Sequence, residues 1–387
     1  MTIYLDHAAT SWPKPRRVIE AMGRFMQEHA ANPGRGAHGM ARRAGAVVHR
    51  ARLRLAALID APNPDRICFG SGATDALNTL LHGLPLPRDA RVLVTPMEHN
   101  AVLRPLAARA QRGELEFGFI ECDQHGRVDL GALEQRLIER SVALICVNHV
   151  SNVNGAVQPL AEICATAHRH GALVLADLAQ SVGARPVSLS ALNIDAAALP
   201  IHKGLLGPTG LGALYLRDGI ELEPRRQGGT GGDARSPDMP SRWPTRHEAG
   251  TLNTVAIAGL EAALDGLTTE ALCERQRRDR ELTSRCLERL EEVSGLELFS
   301  AARDHQDSGP VVSFRLPWLE PQELAAVLDA SFDIAVRAGL HCAPRAHDRL
   351  GTLPQGAVRA SFGVGNSEAC VDALSDALRE IGRACER

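Results

Sequence analysis

The sequence predicts an α/β protein with a large, mostly parallel sheet covered by helices, followed by a smaller α+β domain. Two observations carry this prediction. Between about residues 65 and 216, short β-prone runs alternate with segments of helical periodicity, which is typical of a parallel sheet with helices on both faces. After residue 244 the pattern changes to long charged helices with few strands. The length of 387 residues is sufficient for both units.

Six runs rich in strand-favouring residues predict the large sheet. They lie at 67–69, 91–94, 115–120, 143–147, 172–176 and 212–216. Apolar residues at helical spacing predict helices over 130–140 and 159–170, the second with Pro159 in its first turn. Because ligands of such sheets bind at the carboxyl ends of the strands, we expect the functional residues there.

The second unit follows a glycine-rich stretch at 228–232 and a proline-rich stretch at 237–244, which we interpret as one long ordered loop. Its predicted elements are helices at 270–292 and 368–383 and strands at 310–315, 334–337 and 358–362. We therefore predict a large domain of residues 15–255 and a small domain that combines residues 1–14 with residues 256–387.

Composition and charge argue against several classes of function. The net charge is −3 and the charged residues are interspersed, so no basic surface is predicted that would bind nucleic acid or lipid. No run approaches the ~20 apolar residues of a membrane span, and the N-terminus shows no secretory signal. Nine cysteines without CxxC pairs suit reduced thiols. We expect a cytoplasmic protein that binds neither nucleic acid nor membrane.

A glycine-containing turn at 69–74, Phe-Gly-Ser-Gly-Ala-Thr, joins a predicted strand to a predicted helix. Free N–H groups and the positive end of the helix dipole could bind a phosphate there, with Thr74 adding a hydroxyl. The turn lacks the Lys-Ser/Thr pair of a Walker motif. Glycines also occur in such turns for steric reasons alone, so the sequence leaves a purely structural role open.

Two residues near strand ends suggest a cofactor with a basic ring nitrogen. Asp177 directly follows the run 172–176, with Gln180 one helical turn later. A buried carboxylate there needs a cationic partner, such as a protonated pyridine nitrogen, unless it is simply a helix N-cap. Lys203 lies in an apolar, glycine-rich segment between strands. Burial would favour the neutral amine that forms a Schiff base, whereas an isolated lysine is usually a solvated surface charge.

Two further residues, His99 and Cys342, have open alternatives. His99, which follows a predicted strand, could place its ring against an aromatic cofactor or be an ordinary loop histidine. Cys342 lies in a loop with His341 and Arg337, and nearby positive charge favours the reactive thiolate. The alternatives for Cys342 are a buried structural thiol and a metal site formed with His341 and His347.

An arginine in an otherwise apolar strand, Arg359, completes the candidates. Such an arginine usually meets a buried carboxylate, and the sequence does not decide between an internal acid and the carboxylate of a substrate. A substrate carboxylate and the candidate cofactor lysine, Lys203, would together suit chemistry on an amino acid.

The candidates belong to a series of motifs spread over nearly the whole chain. The motifs are Tyr4-Leu-Asp-His-Ala-Ala-Thr10, Asn32-Pro-Gly-Arg-Gly-Ala-His38, Ser151-Asn-Val-Asn-Gly155, Asp177-Leu-Ala-Gln180, His202-Lys203, Glu248-Ala-Gly-Thr-Leu-Asn253, Arg337-Ala-Gly-Leu-His-Cys342 and Val358-Arg-Ala-Ser361. In order and spacing they resemble the class V aminotransferase superfamily of pyridoxal-5′-phosphate (PLP) enzymes, and within it the Suf-type (group II) cysteine desulfurases. The resemblance implies the fold-type I PLP-dependent transferase architecture.

The resemblance also implies roles for individual residues. Lys203 would bind PLP as a Schiff base, and Asp177 would pair with the pyridinium nitrogen. Gln180 would bond the phenolic oxygen, and His99 would stack on the ring. The residues implied to hold the phosphate are Ala73, Thr74, His202 and, from the other subunit of a homodimer, Thr251. The residues implied to bind the substrate are Asn152, His38 and Arg359, the last through the α-carboxylate.

The reaction implied is that of a cysteine desulfurase. L-Cysteine would become L-alanine while its sulfur passes to Cys342 as a persulfide, with Lys203 and His99 as further catalytic residues and His341 as a hypothetical aid to proton transfer. A small sulfur-acceptor protein would receive the sulfur, for instance for iron–sulfur cluster assembly. Two alternatives remain: another class V enzyme, such as a selenocysteine lyase, a carbon–sulfur lyase or an aminotransferase, and a non-enzymatic binding protein that keeps the fold.

The sequence departs from the Suf-type pattern in three places. Pro200 stands where these enzymes usually carry a phosphate-binding serine, three residues before the lysine. Greater reliance on Thr74 and Thr251 is one possible compensation. The segments 205–208 and 228–233 also fit a neighbouring branch of the family better, which leaves the physiological substrate less defined than the cofactor.

Overall fold

The computed structural model describes residues 2–33, 36, 38–231, 236–301 and 307–385. Its helices are α1 (Arg16–Glu28), α2 (Gly39–Leu58), α3 (Ala73–Gly83), α4 (Asn100–Gln111), α5 (Leu130–Glu139), α6 (Leu160–Arg169), α7 (Thr254–Ala263), α8 (Thr269–Glu291), α9 (Pro321–Phe332), α10 (Pro344–Arg349) and α11 (Glu368–Cys385). Its strands are β1 (Ile3–Tyr4), β2 (Ile67–Gly70), β3 (Ala90–Val94), β4 (Leu115–Phe119), β5 (Leu144–Asn148), β6 (Leu173–Asp177), β7 (Ala196–Pro200), β8 (Gly212–Leu216), β9 (Glu297–Leu298), β10 (Val311–Arg315), β11 (Ile334–Ala335), β12 (Arg337–Gly339) and β13 (Ala357–Ser361).

The large sheet has seven strands in the order β2-β8-β7-β6-β5-β3-β4. Neighbouring strands are parallel except at β8, which runs antiparallel to both β2 and β7. The predicted mostly parallel sheet is therefore confirmed. The six predicted strands correspond to β2–β6 and β8, with ends that differ by at most one residue.

Strand β7 is the one strand of the large sheet that the sequence does not predict. It reads Ala-Ala-Ala-Leu-Pro and has no β-branched or aromatic residue, so its intrinsic preference for a strand is low. All five residues are buried, and β6 and β8 pair with it on either side. Tertiary pairing thus decides its conformation.

The single strand predicted at 334–337 is two strands in the structure. These are β11, which pairs with β1, and β12, which pairs with β13.

Alternate residues of each central strand face two separate cores. In β5, Ile145 and Val147 pack in the core that also contains α2, α5, α6 and α7, whereas Leu144 and Cys146 pack in the core beneath α3 and α4. This period of two is what a sheet buried on both faces requires. The helices therefore cover both faces of the sheet. A binding site on this sheet is thus expected at the ends of its strands.

The smaller unit is built on an antiparallel sheet in the order β12-β13-β10-β9. Its core brings together apolar residues of α8, α9 and α11, and also Leu5 from the N-terminal segment. Ile257 and Leu260 of α7, which lie after the predicted boundary at residue 255, pack in the core of the large sheet. The predicted division into 15–255 and 1–14 with 256–387 remains a prediction. No helix within the described ranges is long and apolar enough to span a membrane.

Candidate active site

A cavity of about 510 Å³ lies where three neighbouring strands of the large sheet end. Asn148, Asp177 and Pro200, the last residues of β5, β6 and β7, all line it. The other predicted site residues that line it are Ala73, Thr74, His99, Asn152, Gln180, His202 and Lys203. These predicted residues therefore meet at the carboxyl ends of the strands, where ligands of such sheets bind, and the volume is in the range of small-molecule pockets.

One end of the cavity is formed by the first turn of α3. The N-cap of this helix is Gly72, which provides no side-chain acceptor, so the N–H groups of the first turn remain available to an anion. A side chain at Gly212 would lie 2.3 Å from the carbonyl carbon of Gly72, so glycine at the start of β8 lets the turn come this close. Thr74 and Ser71 add hydroxyl groups. Ser71 was not among the predicted residues, and it lines the same cavity as Pro200, which has no hydroxyl group.

A carboxylate and an amine occupy the middle of the cavity. Asp177 is 5% exposed, and its Oδ1 accepts a hydrogen bond from the N–H of Ala179 at 2.9 Å. Burial raises the pKa of Asp177, with the Ala179 N–H and the charge of Lys203 opposing the shift. Burial lowers the pKa of Lys203 to about 8, while Asp177 opposes that change and Arg359 adds to it. The two side chains are therefore electrostatically coupled, and much of the amine is neutral near pH 8.

Two histidines that line the cavity are neutral. His99 precedes α4 and caps it, because its Nδ1 accepts from the N–H of Ala101 at 3.0 Å, which places its proton on Nε2. Burial, with the charge of Lys203, lowers the pKa of His99 to about 4. Burial likewise lowers the pKa of His202 to about 4. Within the described part of the chain, the buried Nδ1 of His202 has no hydrogen-bond partner, so it is free for a ligand in the cavity.

The N-terminal segment supplies partners that the sequence did not reveal. Arg359 on β13 is 2% exposed and donates from Nη2 to Oδ1 of Asp6 at 2.6 Å and from Nη1 to the carbonyl of Asn152 at 3.0 Å. An internal carboxylate therefore pairs with Arg359, which was one of the two open alternatives. Gln180 donates from Nε2 to the carbonyl of Ala8 at 3.0 Å. The amides of Gln180 and Asn152 are thereby fixed at the cavity wall.

Cys342 is exposed, and its loop is tied to the cavity wall by two hydrogen bonds. Its carbonyl accepts from the N–H of Asn100 at 2.7 Å, and the carbonyl of His341 accepts from Nδ2 of Asn152 at 2.8 Å. Both His341 and Cys342 have positive φ, 48° and 57°, so the loop is held in the left-handed region that non-glycine residues rarely adopt. The thiol is exposed, which removes the alternative of a buried structural cysteine.

The expectation that His341 supplies positive charge to Cys342 is wrong. His341 is 5% exposed and its Nδ1 lies 3.0 Å from Nε2 of His347, while its Nε2 lies 3.3 Å from the carbonyl of Arg337. His347 in turn lies 2.7 Å from the hydroxyl of Thr352. Burial lowers the pKa of His341 to about 2, so the ring is neutral. The described residues contain no group of three or more His, Cys, Asp or Glu side chains arranged to hold a metal ion.

These contacts predict the effect of His341→Ala. The substitution leaves the Nε2 donor of His347 without its acceptor, which costs about 1–3 kcal/mol of folding stability. We expect a lower melting temperature and reduced turnover, but an unchanged pH profile of turnover, because a ring with so low a pKa does not titrate in the working range. His49→Ala, on the exposed face of α2, is the control. A displaced acidic limb in the His341→Ala profile would show that the ring does transfer protons.

Four predicted site residues do not line the cavity of their own chain: Arg359 and Cys342, which hydrogen-bond to Asn152 or to the residue after His99, and also Thr251 and His38. Thr251 is exposed and does not line the cavity. Its predicted role is at the cavity of the other subunit, so a position away from its own cavity is compatible with that role. His38 is exposed and caps α2, with its Nδ1 3.3 Å from the N–H of Ala41. The roles of all four remain predictions. Parts of the motifs 32–38 and 228–233 lie outside the described residues.

The fold and the cavity together define an α/β enzyme with its site at the carboxyl ends of the central strands. The chain belongs to the aminotransferase class-V family, whose family model matches residues 3–374. The resemblance inferred from the motifs is thus confirmed at the level of the family.

The relatives of the chain are similar over nearly its whole length. It is 34% identical to a probable cysteine desulfurase of Methanothermobacter thermautotrophicus, over 98% of this chain and 94% of that protein. It is 33% identical to a cysteine desulfurase of Haloferax volcanii, over 97% and 88%. Among solved structures, the apo cysteine desulfurase of Thermococcus onnurineus matches with a TM-score of 0.92 and 33% identity, covering 99% of this chain and 95% of that one.

Proposed function

We propose that the protein is a PLP-dependent cysteine desulfurase that converts L-cysteine to L-alanine and takes up the sulfur on Cys342. The observation that carries the proposal is the direct connection between the Lys203 cavity and the Cys342 loop. Asn152 lines the cavity and hydrogen-bonds the residue before Cys342, and Asn100, which follows His99, hydrogen-bonds Cys342 itself. Hydrogen bonds thus connect the loop that carries the Cys342 thiol to the wall of the cavity that contains the Lys203 amine.

The residues present fit PLP. The uncapped first turn of α3 and the unpartnered Nδ1 of His202 suit its phosphate, and Asp177 suits its pyridinium nitrogen. Gln180 and His99 line the space between them. When bound, PLP supplies an electron sink for a carbanion at the substrate α-carbon. Lys203, whose amine is partly neutral, is the base placed to remove the α-proton at Nζ.

The sulfur step involves one bond broken and one bond formed. The thiolate of Cys342 attacks the substrate sulfur, an S–S bond forms, and the carbon–sulfur bond of the substrate breaks. The electron pair of the broken bond stays with carbon, which takes up a proton to become the methyl group of alanine. L-Cysteine and the Cys342 thiol thus give L-alanine and a Cys342 persulfide, with no external oxidant. A thiolate is needed because it is far more nucleophilic than the thiol.

The proposal is tested by supplying L-cysteine and a reductant to the cofactor-loaded protein. We expect alanine and sulfide in equal amounts. Alanine from another amino acid, with none from L-cysteine, would instead assign the chain to another reaction of the same family.

Substrate recognition gives a separate prediction at Arg359. Besides its bonds to Asp6 and Asn152, the guanidinium has a buried Nε with no partner among the described residues, and spare donors for an α-carboxylate. We expect Arg359→Lys to raise KM for L-cysteine at least about tenfold. A hydrogen bond to a charged group is worth roughly 1.5–3 kcal/mol, and the ammonium of lysine cannot reproduce the paired, planar N–H donors of the guanidinium. Steady-state kinetics measure this. Arg315→Lys, on the adjacent strand β10, is the control, and an unchanged KM would remove Arg359 from this role.

We also propose a homodimer that works in the cytoplasm and passes sulfur to a small acceptor protein. Several large apolar side chains of the first two helices and the segment before them are exposed: Trp12, Ile19, Met26, Met40 and Leu53. A second copy would cover such a surface and could bring its Thr251 to the cavity. The eight cysteines whose side chains the structure describes are all free, as suits a reducing compartment. Exposure of Cys342 lets an acceptor thiol approach.

A further inference from the structure

Lysine is nearly absent from this protein. Of its 43 lysine and arginine residues only two are lysines, Lys14 and Lys203. A surface cation can usually be either residue, so a chain that uses arginine almost everywhere keeps lysine where an ammonium is required. Lys203 is the proposed cofactor lysine. The structure places the other lysine beside it: Nζ of Lys14 lies 2.7 Å from the carbonyl oxygen of His202, the residue directly before Lys203.

Lys14 has no carboxylate partner among the described residues, so its charge is not used in an ion pair. Its Nζ donates to the carbonyl of His202 and, at 2.7 Å, to Oγ of Ser11. The N–H of Ser11 donates to the same carbonyl at 3.0 Å, as does the hydroxyl of Thr10 at 3.1 Å. Several donors therefore converge on one oxygen. A half-buried cation whose acceptors are a backbone carbonyl and neutral hydroxyl groups is costly to desolvate, which indicates a role in holding this carbonyl.

The carbonyl on the other side of Lys203 is held in the same way. Arg275 on α8 donates from Nη1 to the carbonyl of Gly204 at 2.7 Å and to that of Gly183 at 2.6 Å. The backbones of Gly204 and Gly183 are in contact, since a Cβ on Gly183 would lie 2.5 Å from the carbonyl carbon of Gly204. The carbonyls of the residues before and after Lys203 are thus held by cations that come from outside the large sheet.

The segment that carries Lys14 also contacts other parts of the site. Asp6 pairs with Arg359, and the carbonyl of Ala8 accepts from Gln180. Residues 6–14 therefore hold a substrate-binding candidate, a cofactor-binding candidate and the lysine loop at once. The loop between β7 and β8 is otherwise closed by local turns, such as the N–H of Leu206 bonded to the carbonyl of Lys203 at 2.9 Å. Its position relative to the cavity depends on these outside contacts.

We propose that Lys14 is a positioning residue that fixes the backbone of Lys203 and so sets where the cofactor-binding amine lies. The compact ammonium directs separate donors to the His202 carbonyl and to Ser11 in a small space, which the planar fork of arginine does not match. This inference rests on the proposed role of Lys203. It extends that role by assigning a function to the only other lysine and to the N-terminal segment.

The test measures how fast Lys203 captures the cofactor. Apo-protein is mixed with PLP, samples are reduced with borohydride at timed intervals, and the modified peptide is quantified by mass spectrometry. We expect Lys14→Met to form the Lys203 adduct at least about tenfold more slowly than wild type, because small displacements of a reacting group have large effects on rate. Lys14→Arg should be intermediate. Arg277→Met is the control, because Arg277 is exposed on α8 and pairs only with Glu274 and Glu281. Lys14→Met also leaves Lys203 as the single lysine, so the adduct is unambiguous.

Hydrogen exchange of the apo-protein provides a readout without the cofactor. We expect faster exchange in Lys14→Met for the peptide that contains residues 201–207, with protection elsewhere as in wild type. Adduct formation at the wild-type rate would overturn the proposal, and so would faster exchange throughout the molecule, since that is general destabilisation. If wild type itself forms no adduct at Lys203, it is the proposed function that fails, and the two failures are thus distinguishable.

Discussion

Replacing Lys203 by alanine is expected to abolish covalent attachment of PLP and to reduce alanine formation from L-cysteine at least about a thousandfold. Loss of a covalent catalytic group has effects of this order. The structure gives the reason: Lys203 lies in the cavity beside Asp177, and burial lowers its pKa to about 8. The other lysine, Lys14, points to the backbone of His202 and does not line the cavity. The measurement is turnover together with borohydride reduction and peptide mapping.

Two controls separate loss of the amine from loss of the fold. Lys203→Arg keeps the positive charge but removes the nucleophile, so it should be as inactive as Lys203→Ala. A small added amine should restore part of the activity to the alanine variant only. The attachment rate in wild type should rise as the pH passes through about 8, because the neutral amine reacts. Retained attachment in Lys203→Ala would contradict the assignment.

Cys342→Ala has the second largest expected effect. We expect alanine and sulfide formation from L-cysteine to fall at least about a hundredfold, because the substrate sulfur loses its acceptor. PLP binding should be unchanged, since Cys342 does not line the cavity and its loop contacts run through backbone carbonyls. Turnover and the cofactor content of the purified variant measure the two effects independently.

Cys273→Ala is the matched control for this variant. Cys273 and Cys342 are the exposed cysteines in the part of the chain that the structure describes, and Cys273 lies on α8. Its removal should leave turnover at the wild-type level. If Cys342→Ala retained full alanine formation, the enzyme would release sulfur without a protein persulfide, as a lyase does.

Residues at strand ends were predictable, because the fold class fixes where they meet. Asp177 directly follows a predicted strand, and a parallel sheet brings the carboxyl ends of its strands to one edge. The helix N-terminus at Ala73 was predictable for the same reason. Strand β7 was not, because its alanines carry no strand preference and its conformation is imposed by β6 and β8.

Contacts between distant segments could not be predicted from one sequence. Arg359 was expected to meet a carboxylate, but nothing in the sequence indicates that Asp6, 353 residues earlier, provides it. The histidine beside Cys342 was wrongly interpreted as a source of charge, because only the structure shows its ring turned toward His347 and away from water. Lys14 became informative only once its contact with His202 was known.

The most direct test of the central claim is a single turnover with isotopically labelled sulfur in L-cysteine, without reductant. The protein is alkylated after the reaction, and its cysteine peptides are mapped by mass spectrometry. We predict one alanine per active site and the labelled sulfur on Cys342. Alanine formation with the label released entirely as free sulfide, or carried by another of the nine cysteines, would contradict the account.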